Sequence, residues 1–134
     1  MADAKQEKLG LEYALKEGKA RVVEGWFKDT LPPRGLRRVA LLRLDGDLYS
    51  STVDAIEPLY PLVVPGGVVY VDDYGAYGGC HQAINEYRAR HNITEPMHHV
   101  WESGGPRKGL KVAPQDWHGR SFDATWWIKG DRDG

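Results

Sequence analysis

The sequence predicts an α/β domain with parallel strands joined by a crossover helix, and two similar stretches carry this prediction. Residues 39–47 read Val-Ala-Leu-Leu-Arg-Leu-Asp-Gly-Asp, so an almost unbroken apolar run stops at two carboxylates. Residues 68–73 repeat the design, because Val-Val-Tyr-Val leads directly into two aspartates. Such runs are typical of buried parallel strands, whose two faces are both covered. The interval between them is ample for a right-handed strand–helix–strand crossover.

Length and composition narrow the class of protein. The 134 residues suit a single domain spanning residues 1–134 with a modest core. A net charge of -1 gives no indication of binding to nucleic acid or to an anionic membrane. The one cysteine, Cys80, excludes an internal disulfide and a cysteine-based zinc site. No apolar run approaches the roughly 20 residues of a membrane span. We therefore expect a cytoplasmic protein with no membrane partner.

The first third of the chain combines a helix, a short strand and a loop. Residues 3–17 predict a polar helix that stops at Gly18. Residues 21–26 predict a short strand. The proline pair at 32 and 33 predicts a loop over residues 27–35.

A helix is predicted between the two acidic stretches. Ser51 is a suitable N-cap, and Asp54 completes a capping box three residues later. Pro58 and Pro61 each remove a helix hydrogen bond, so a kink or an early end is expected. Residues 65–67, Pro-Gly-Gly, predict a turn before the second strand.

The last part of the chain adds one helix and two strands. Residues 79–91 have apolar side chains at helical spacing on one side. Residues 97–101 and 125–129 predict strands, and residues 102–121 between them are irregular and rich in glycine, proline and basic groups.

Four carboxylates at two strand ends indicate a functional site. Open α/β sheets bind ligands at the carboxyl ends of their strands, where Asp45 and Asp47 follow one strand and Asp72 and Asp73 the next. Adjacent strands lie about 4.8 Å apart, so Asp45 and either of the later aspartates are near enough to share a cation. Oxygen-only ligands indicate a hard ion, with Mg²⁺ first and Ca²⁺ or Mn²⁺ as alternatives.

The roles of the individual carboxylates stay open at this point. Without a cation, so many close carboxylates repel one another, and at least one is expected to keep its proton. A single aspartate at a strand end is more simply explained as a cap of a helix or loop, whereas the group of four favours a site. Asp47 fits a fourth ligand, a general base or a residue that caps the loop.

Three motifs carry a resemblance to a known family. They are residues 25–32 (Gly-Trp-Phe-Lys-Asp-Thr-Leu-Pro), residues 42–52 (Leu-Arg-Leu-Asp-Gly-Asp-Leu-Tyr-Ser-Ser-Thr) and residues 66–75 (Gly-Gly-Val-Val-Tyr-Val-Asp-Asp-Tyr-Gly). Together they resemble the macrocin O-methyltransferase family, which methylates sugar or phenol hydroxyls of macrolide and aminocoumarin antibiotics. The match is good over residues 20–101 and loose elsewhere.

The resemblance implies a fold, an activity and cofactors. The fold is a partial Rossmann-like methyltransferase sheet, with parallel strands, crossover helices and a C-terminal antiparallel strand. The activity is Mg²⁺-dependent transfer of a methyl group from S-adenosylmethionine to a small-molecule hydroxyl acceptor. By resemblance, the metal ligands are Asp45, Asp72 and Asp73, and the general base is Asp47. Residues of the cofactor site near the adenine are Gly25, Trp26 and Phe27.

The chain also departs from the family pattern. The family's glycine-rich cofactor loop and its acidic ribose-binding residue have no counterpart, so the chain resembles the C-terminal half of the enzyme. In the family strand order 3-2-1-4-5-7-6, residues 21–26 would lack their partner strand, and the strand at 39–45 would have an exposed edge. We expect a missing N-terminal half or a homo-oligomer to cover that edge.

Two alternative functions remain. The Asp45-Gly46-Asp47 motif also resembles the nucleophile motif of haloacid dehalogenase-type phosphatases, although Tyr49 replaces the expected threonine or valine. The second alternative is a catalytically silent methyltransferase fragment that binds a partner chain or a metal only. Binding of S-adenosylmethionine separates them, because the methyltransferase needs it, the phosphatase excludes it and the fragment binds little or none.

Overall fold

The computed structural model describes residues 4–100 and 124–131, with side chains described from residue 10 onward. Two helices precede a four-stranded sheet, and two more lie between its strands along the chain. In chain order the elements are α1 (Ala4–Lys16), α2 (Phe27–Thr30), β1 (Val39–Leu44), α3 (Tyr49–Leu59), a 3₁₀ turn (Tyr60–Leu62), β2 (Val63–Val71), α4 (Gly78–Arg90), β3 (His98–Val100) and β4 (Ala124–Ile128).

The sheet has the strand order β1-β2-β4-β3. Strands β1 and β2 are parallel, with Leu44 opposite Val71, and α3 forms the crossover between them. Strand β4 runs antiparallel to both of its neighbours and places Thr125 opposite Val71. The predicted α/β class, with a parallel pair and a C-terminal antiparallel strand, is therefore confirmed.

The core lies between one face of the sheet and the helices α3 and α4. Strand residues that alternate toward this face are buried with apolar residues of both helices, and Trp127 and Ile84 are completely inaccessible. The predicted apolar side of the 79–91 helix is confirmed, because Cys80, Ala83, Ile84 and Tyr87 are all buried. Each large apolar side chain buried in this way contributes roughly 1.5–3 kcal/mol.

The opposite face of the sheet differs from the prediction. Leu44 is the last buried residue of β1, as predicted, but burial on both faces of this strand is wrong. Leu41 is 61% exposed and Ile128 is 49% exposed, and Arg43 points to the same side. The reason is that α3 and α4 pack on one face only, so side chains that alternate to the other face stay accessible.

The segment at residues 21–26 is a second correction. We predicted a strand there, but the segment has no regular secondary structure and pairs with no described strand, and Val22 is exposed. An apolar stretch needs a neighbour to become a strand, and among the described strands β1 pairs with β2 alone. The loop predicted over residues 27–35 contains the short helix α2, in which the Thr30 hydroxyl donates to the Trp26 carbonyl at 2.9 Å.

The crossover helix begins earlier than predicted. Helix α3 starts at Tyr49 with Leu48 in the N-cap position, and Leu48 offers no side-chain cap. The capping box of Ser51 and Asp54 is wrong, because the Ser51 hydroxyl donates backward to the Gly46 carbonyl. The expected early end is confirmed, since α3 stops one residue after Pro58 and continues as the 3₁₀ turn.

The predicted turn at residues 65–67 is an irregularity inside β2. Val39 lies opposite Val63, but Leu41 lies opposite Val68, so β2 contains extra residues at this point. Gly67 approaches the backbone closely, since a Cβ there would lie 2.8 Å from the Val64 carbonyl oxygen. The Pro-Gly-Gly sequence at residues 65–67 therefore forms a β-bulge and not a chain reversal.

The remaining boundaries agree with the sequence to within a residue or two. Helix α1 is followed by Gly18 in the left-handed conformation (φ 68°), as expected for a helix stop. Helix α4 and strands β3 and β4 match the predicted elements. Residues 102–121 lie outside the described residues. Among the described residues, no helix has the length and apolar content needed to cross a membrane.

The N-termini of α3 and α4 touch at Gly79, which generates a prediction. A Cβ at Gly79 would lie 2.8 Å from the Tyr49 backbone nitrogen, whereas nothing lies within 4 Å of a Cβ at Gly78. We expect Gly79→Ala to lower the free energy of unfolding by about 1–3 kcal/mol, the usual range for overpacking. Gly78→Ala, the matched control, should be neutral or slightly stabilising because alanine favours helix. Denaturant titration measures both values, and equal effects would contradict the close contact.

Candidate functional site

The loops that follow β1 and β2 meet at one edge of the sheet. The Asp72 backbone N–H donates to the Leu44 carbonyl at 2.9 Å, which extends the parallel pairing beyond the last strand residues. This hydrogen bond places the acidic residues after β1 beside those after β2. The site is therefore positioned by backbone pairing at the carboxyl ends of two parallel strands.

Three of the four carboxylates form a compact group. Oxygen atoms of Asp45, Asp47 and Asp73 all lie within 4.8 Å of one another. Asp47 adopts a left-handed backbone conformation (φ 57°), which aspartate tolerates better than most residues. A tight turn accompanies it, with the Leu48 N–H donating to the Gly46 carbonyl at 2.6 Å. This turn brings the Asp47 carboxylate back toward the strand ends.

Asp72 has a different set of neighbours. The Arg43 guanidinium donates to Asp45 at 2.8 Å and to Asp72 at 3.1 Å, so it bridges the two strand ends on the exposed face of the sheet. The structure thus groups Asp47, and not Asp72, with Asp45 and Asp73. All four predicted residues lie at one edge, and their individual roles stay predictions.

Crowding of the carboxylates changes their protonation. Burial, a hydrogen bond with Asp47 and repulsion by Asp72 and Asp47 raise the pKa of Asp73 to about 8. Burial, followed by the hydrogen bond and repulsion with Asp45, also raises the pKa of Asp72. For Asp45 burial acts upward, but hydrogen bonds from Asp72, Arg43 and Asp73 together lower its pKa. At neutral pH the group therefore retains a proton, as expected for carboxylates that share a site.

Thr52 and Cys80 are buried near the start of α3, and the sequence analysis did not name them as candidate residues. The Thr52 hydroxyl is buried and donates to the Leu48 carbonyl at 2.7 Å, which fixes the start of α3. Cys80 lies close to it, and burial raises the pKa of its thiol to about 11, so the thiol stays neutral. Two sequence signals pointed to Thr52, namely its place at the end of the 42–52 motif and its polar side chain on the apolar side of a predicted helix.

Two residues of α4 were also missed. Asn85 accepts a hydrogen bond from the buried Tyr74 hydroxyl at 2.6 Å, and Glu86 accepts one from Tyr49 at 2.7 Å. Both tyrosines lie within two residues of a carboxylate of the site. The available signal was helical spacing, since Asn85 and Glu86 each lie one turn after another polar residue of α4.

The predicted cofactor residues line a cleft beside the carboxylates. Gly25, Trp26 and Phe27 face Leu48 and the start of α3 across a cleft of roughly 600 Å³, which reaches the acidic loop at Gly46. The Trp26 side chain is 76% exposed, so its aromatic face is accessible. The cleft and the carboxylate group are therefore neighbours at the same edge of the sheet.

A profile of the family described as Macrocin-O-methyltransferase (TylF) matches residues 5–105, well over half of the sequence. The chain belongs to the macrocin O-methyltransferase family. The matched range includes the three motifs, the sheet edge with its carboxylates and the residues that line the cleft. It leaves the phosphatase alternative without support.

Three curated relatives are O-methyltransferases of Streptomyces and Micromonospora species. The chain is 47% identical over 92 residues to the 8-demethyl-8-(2,3-dimethoxy-alpha-L-rhamnosyl)-tetracenomycin-C 4'-O-methyltransferase of Streptomyces olivaceus, covering 69% of this chain and 35% of that protein. It is 40% identical over 92 residues to the Mycinamicin III 3''-O-methyltransferase of Micromonospora griseorubida, with 69% and 36% covered. It is 47% identical over 85 residues to the Demethyldecarbamoylnovobiocin O-methyltransferase of Streptomyces niveus, with 63% and 32% covered. The chain thus spans about a third of the length of these relatives.

Solved structures agree with this family. The O-methyltransferase NovP superposes with a TM-score of 0.63 at 36% identity, covering 82% of this chain and 37% of NovP. The apo structure of CalS11, a TDP-rhamnose 3'-O-methyltransferase, superposes with a TM-score of 0.56 at 21% identity, covering 81% and 40%. The second likeness shows the fold alone.

The raised pKa of Asp73 predicts a pH-dependent stability. Unfolded aspartate loses its proton near pH 4, whereas folded Asp73 keeps it up to about 8, so the native state binds more protons in between. The free energy of unfolding should therefore fall as the pH rises through this window. In buffer without divalent cations, we expect Asp73→Asn to melt above the wild type at pH 8, with the difference shrinking toward pH 4.

Thermal melts at several pH values measure this difference. Burial lowers the pKa of His81, which acts in the opposite sense below pH 6.5, but His81 is present in both proteins and its effect cancels. A difference in melting temperature that is constant from pH 4 to pH 8 would contradict the shifted pKa.

Proposed function

We propose that the chain supplies the metal- and acceptor-binding part of an enzyme that transfers a methyl group from S-adenosylmethionine to a sugar or phenol hydroxyl of a secondary metabolite. The observation that carries the proposal is the group of Asp45, Asp47 and Asp73 at a strand-end edge, in a chain of the macrocin O-methyltransferase family. The names of the relatives support an antibiotic precursor as acceptor.

The donor atoms at this edge fit Mg²⁺. All are carboxylate oxygens, which this ion prefers, and those of Asp45, Asp47 and Asp73 lie within 4.8 Å of one another. From the family resemblance we propose Asp45, Asp72 and Asp73 as the ligands. Asp45 and Asp73 belong to the compact group, and Arg43 joins Asp45 to Asp72. When bound, Mg²⁺ supplies the positive charge that lowers the pKa of an acceptor hydroxyl.

Asp47 suits the role of general base. Its carboxylate belongs to the compact group, and its ion pairing differs from that of Asp45 and Asp72, which both bind Arg43. The left-handed turn at Asp47 holds the carboxylate over the site, where it accepts the proton that the acceptor hydroxyl loses.

The cleft beside the carboxylates suits the adenine end of S-adenosylmethionine, which supplies the methyl group. Exposed aromatic faces at Trp26 and Phe27 can stack on a planar base, and Gly25 has a φ of 136°, which disfavours a side chain there. The cleft reaches Gly46, so a molecule held in it lies next to the proton-accepting loop. Binding both reactants in line lowers the barrier to methyl transfer, because their translational freedom is already lost before the reaction begins.

A second polypeptide is the proposed partner besides the small-molecule acceptor. Among the described residues, nothing covers the sheet face around Leu41 and Ile128 or pairs with the outer edge of β1, so both suit a neighbouring chain. We propose that an N-terminal half or another copy of the chain supplies it, and that neither nucleic acid nor a membrane does. A cytoplasmic location is proposed on the basis of the free thiol of Cys80.

The first prediction here concerns metal. Because ligand binding to the native state stabilises it, millimolar Mg²⁺ should raise the melting temperature, by the equivalent of about 2.7 kcal/mol at 100 times the dissociation constant. The triple variant Asp45→Asn, Asp72→Asn, Asp73→Asn should lose the response. Asp29→Asn, a surface aspartate of α2, is the control and should keep it. An equal rise in the triple variant would rule out the proposed ligands.

The second prediction separates proton transfer from metal binding. Asp47→Asn keeps the size of the side chain but cannot accept a proton, so methyl transfer should fall by about 10²–10⁴-fold while the thermal response to Mg²⁺ persists. Asp45→Asn should weaken both. The assay uses the chain combined with the N-terminal part of a relative, or the equivalent substitutions in a full-length relative. Near-normal turnover of Asp47→Asn at neutral pH would place the base elsewhere.

The third prediction concerns assembly. We expect the isolated chain to self-associate or to be only marginally stable, and Leu41→Gln with Ile128→Gln to reduce self-association. Leu11→Gln is the matched control, because it changes an exposed apolar residue of α1, which is outside the sheet. Sedimentation velocity and thermal melts check this, and a monomeric wild type with a high melting temperature would contradict it.

Calorimetry with S-adenosylmethionine on the same samples tests the silent-fragment alternative, which expects little or no heat.

A further inference from the structure

Tyr74 turns its side chain into the protein directly after Asp73. The side chain is 5% exposed, although the residue opens a loop. In that loop the N–H groups of Ala76 and Tyr77 both donate to the Asp73 carbonyl, at 3.1 and 3.0 Å. The Asp73 backbone is thus part of a compact turn, and the orientation of the turn depends on what holds Tyr74.

Two polar side chains of α4 hold Tyr74. Its hydroxyl donates to Asn85 Oδ1 at 2.6 Å, and Asn85 Nδ2 lies 2.8 Å from His81 Nε2. Because the amide oxygen already accepts from the phenol, the amide nitrogen is the donor to the imidazole. His81 Nε2 is therefore the acceptor, and its ring hydrogen is on Nδ1.

His81 returns the chain of contacts to Tyr74. The two rings lie 4.4 Å apart between centroids. His81 and Asn85 are four residues apart on α4, so the helix presents them side by side. Helix α4 thus binds Tyr74 at its ring and at its hydroxyl.

We propose that Asn85 and His81 are positioning residues that fix the Asp73 carboxylate through Tyr74. The other side of the acidic pair is already held, because the Asp72 N–H donates to the Leu44 carbonyl of β1. Asp73 therefore lies between an anchor on the sheet and an anchor on α4. This inference rests on the proposed Mg²⁺ site, for which a misplaced carboxylate means weaker binding.

Isothermal titration of the chain with Mg²⁺ tests the proposal. Tyr74→Phe removes only the hydroxyl, and Asn85→Leu keeps the side-chain size without its hydrogen bonds. Each should raise the dissociation constant for Mg²⁺ by about 10–100-fold, the usual effect of losing a group that orients a ligand. Tyr60→Phe is the control for the first, since Tyr60 is similarly buried at the opposite end of β2. Gln82→Leu is the control for the second, as an exposed amide on the same helix. Both controls should keep the wild-type affinity.

A double variant shows whether the two residues act through one hydrogen bond. Tyr74→Phe with Asn85→Leu should bind Mg²⁺ no more weakly than the worse single variant, because neighbours in one network are not additive. Melting temperatures without Mg²⁺ report whether each variant is folded. A variant that melts like its control but binds Mg²⁺ more weakly has lost affinity and not stability. Wild-type affinity in both single variants overturns this inference alone. A wild type that does not bind Mg²⁺ overturns the metal site and the inference with it.

Discussion

The parallel pairing of β1 with β2 determines everything at the candidate site. One backbone hydrogen bond beyond the strands, from the Asp72 N–H to the Leu44 carbonyl, sets the two acidic loops side by side. Helices α3 and α4 follow those loops and pack on the same face of the sheet, so both are anchored over one core. The carboxylate group, the aromatic cleft and the Tyr74 contacts all depend on this register, because a shift of one residue would exchange the buried and exposed sides of either strand.

The main electrostatic cost of this arrangement is the concentration of negative charge. Arg43 offsets part of it by bridging Asp45 and Asp72, and a proton retained near Asp73 offsets another part. Both compensations lie in a partly exposed site, so neither makes a large contribution to folding stability. Both show that the carboxylates at this edge attract positive charge, which is the property that the proposed chemistry requires.

The sequence predicted the parts of the fold that depend on local patterns. Apolar runs located β1 and β2, the spacing of Cys80, Ile84 and Tyr87 located α4, and paired aspartates located the edge. The failures have a common physical cause, which is dependence on distant parts of the chain. Whether residues 21–26 form a strand depends on a neighbour, and burial of Leu41 depends on which face the helices cover. Asn85 carries no motif, and only the folded chain brings it to Tyr74.

The contact at Gly79 has a mechanical consequence. A backbone atom of one helix N-terminus rests where a side chain of the other would begin, so the distance between them does not depend on any rotamer. The loops that lead into α3 and α4 are therefore joined at a contact between backbones, which limits how far the two acidic loops can separate. The spacing of the charges at this edge is thus set by main-chain atoms and less by the side chains around it.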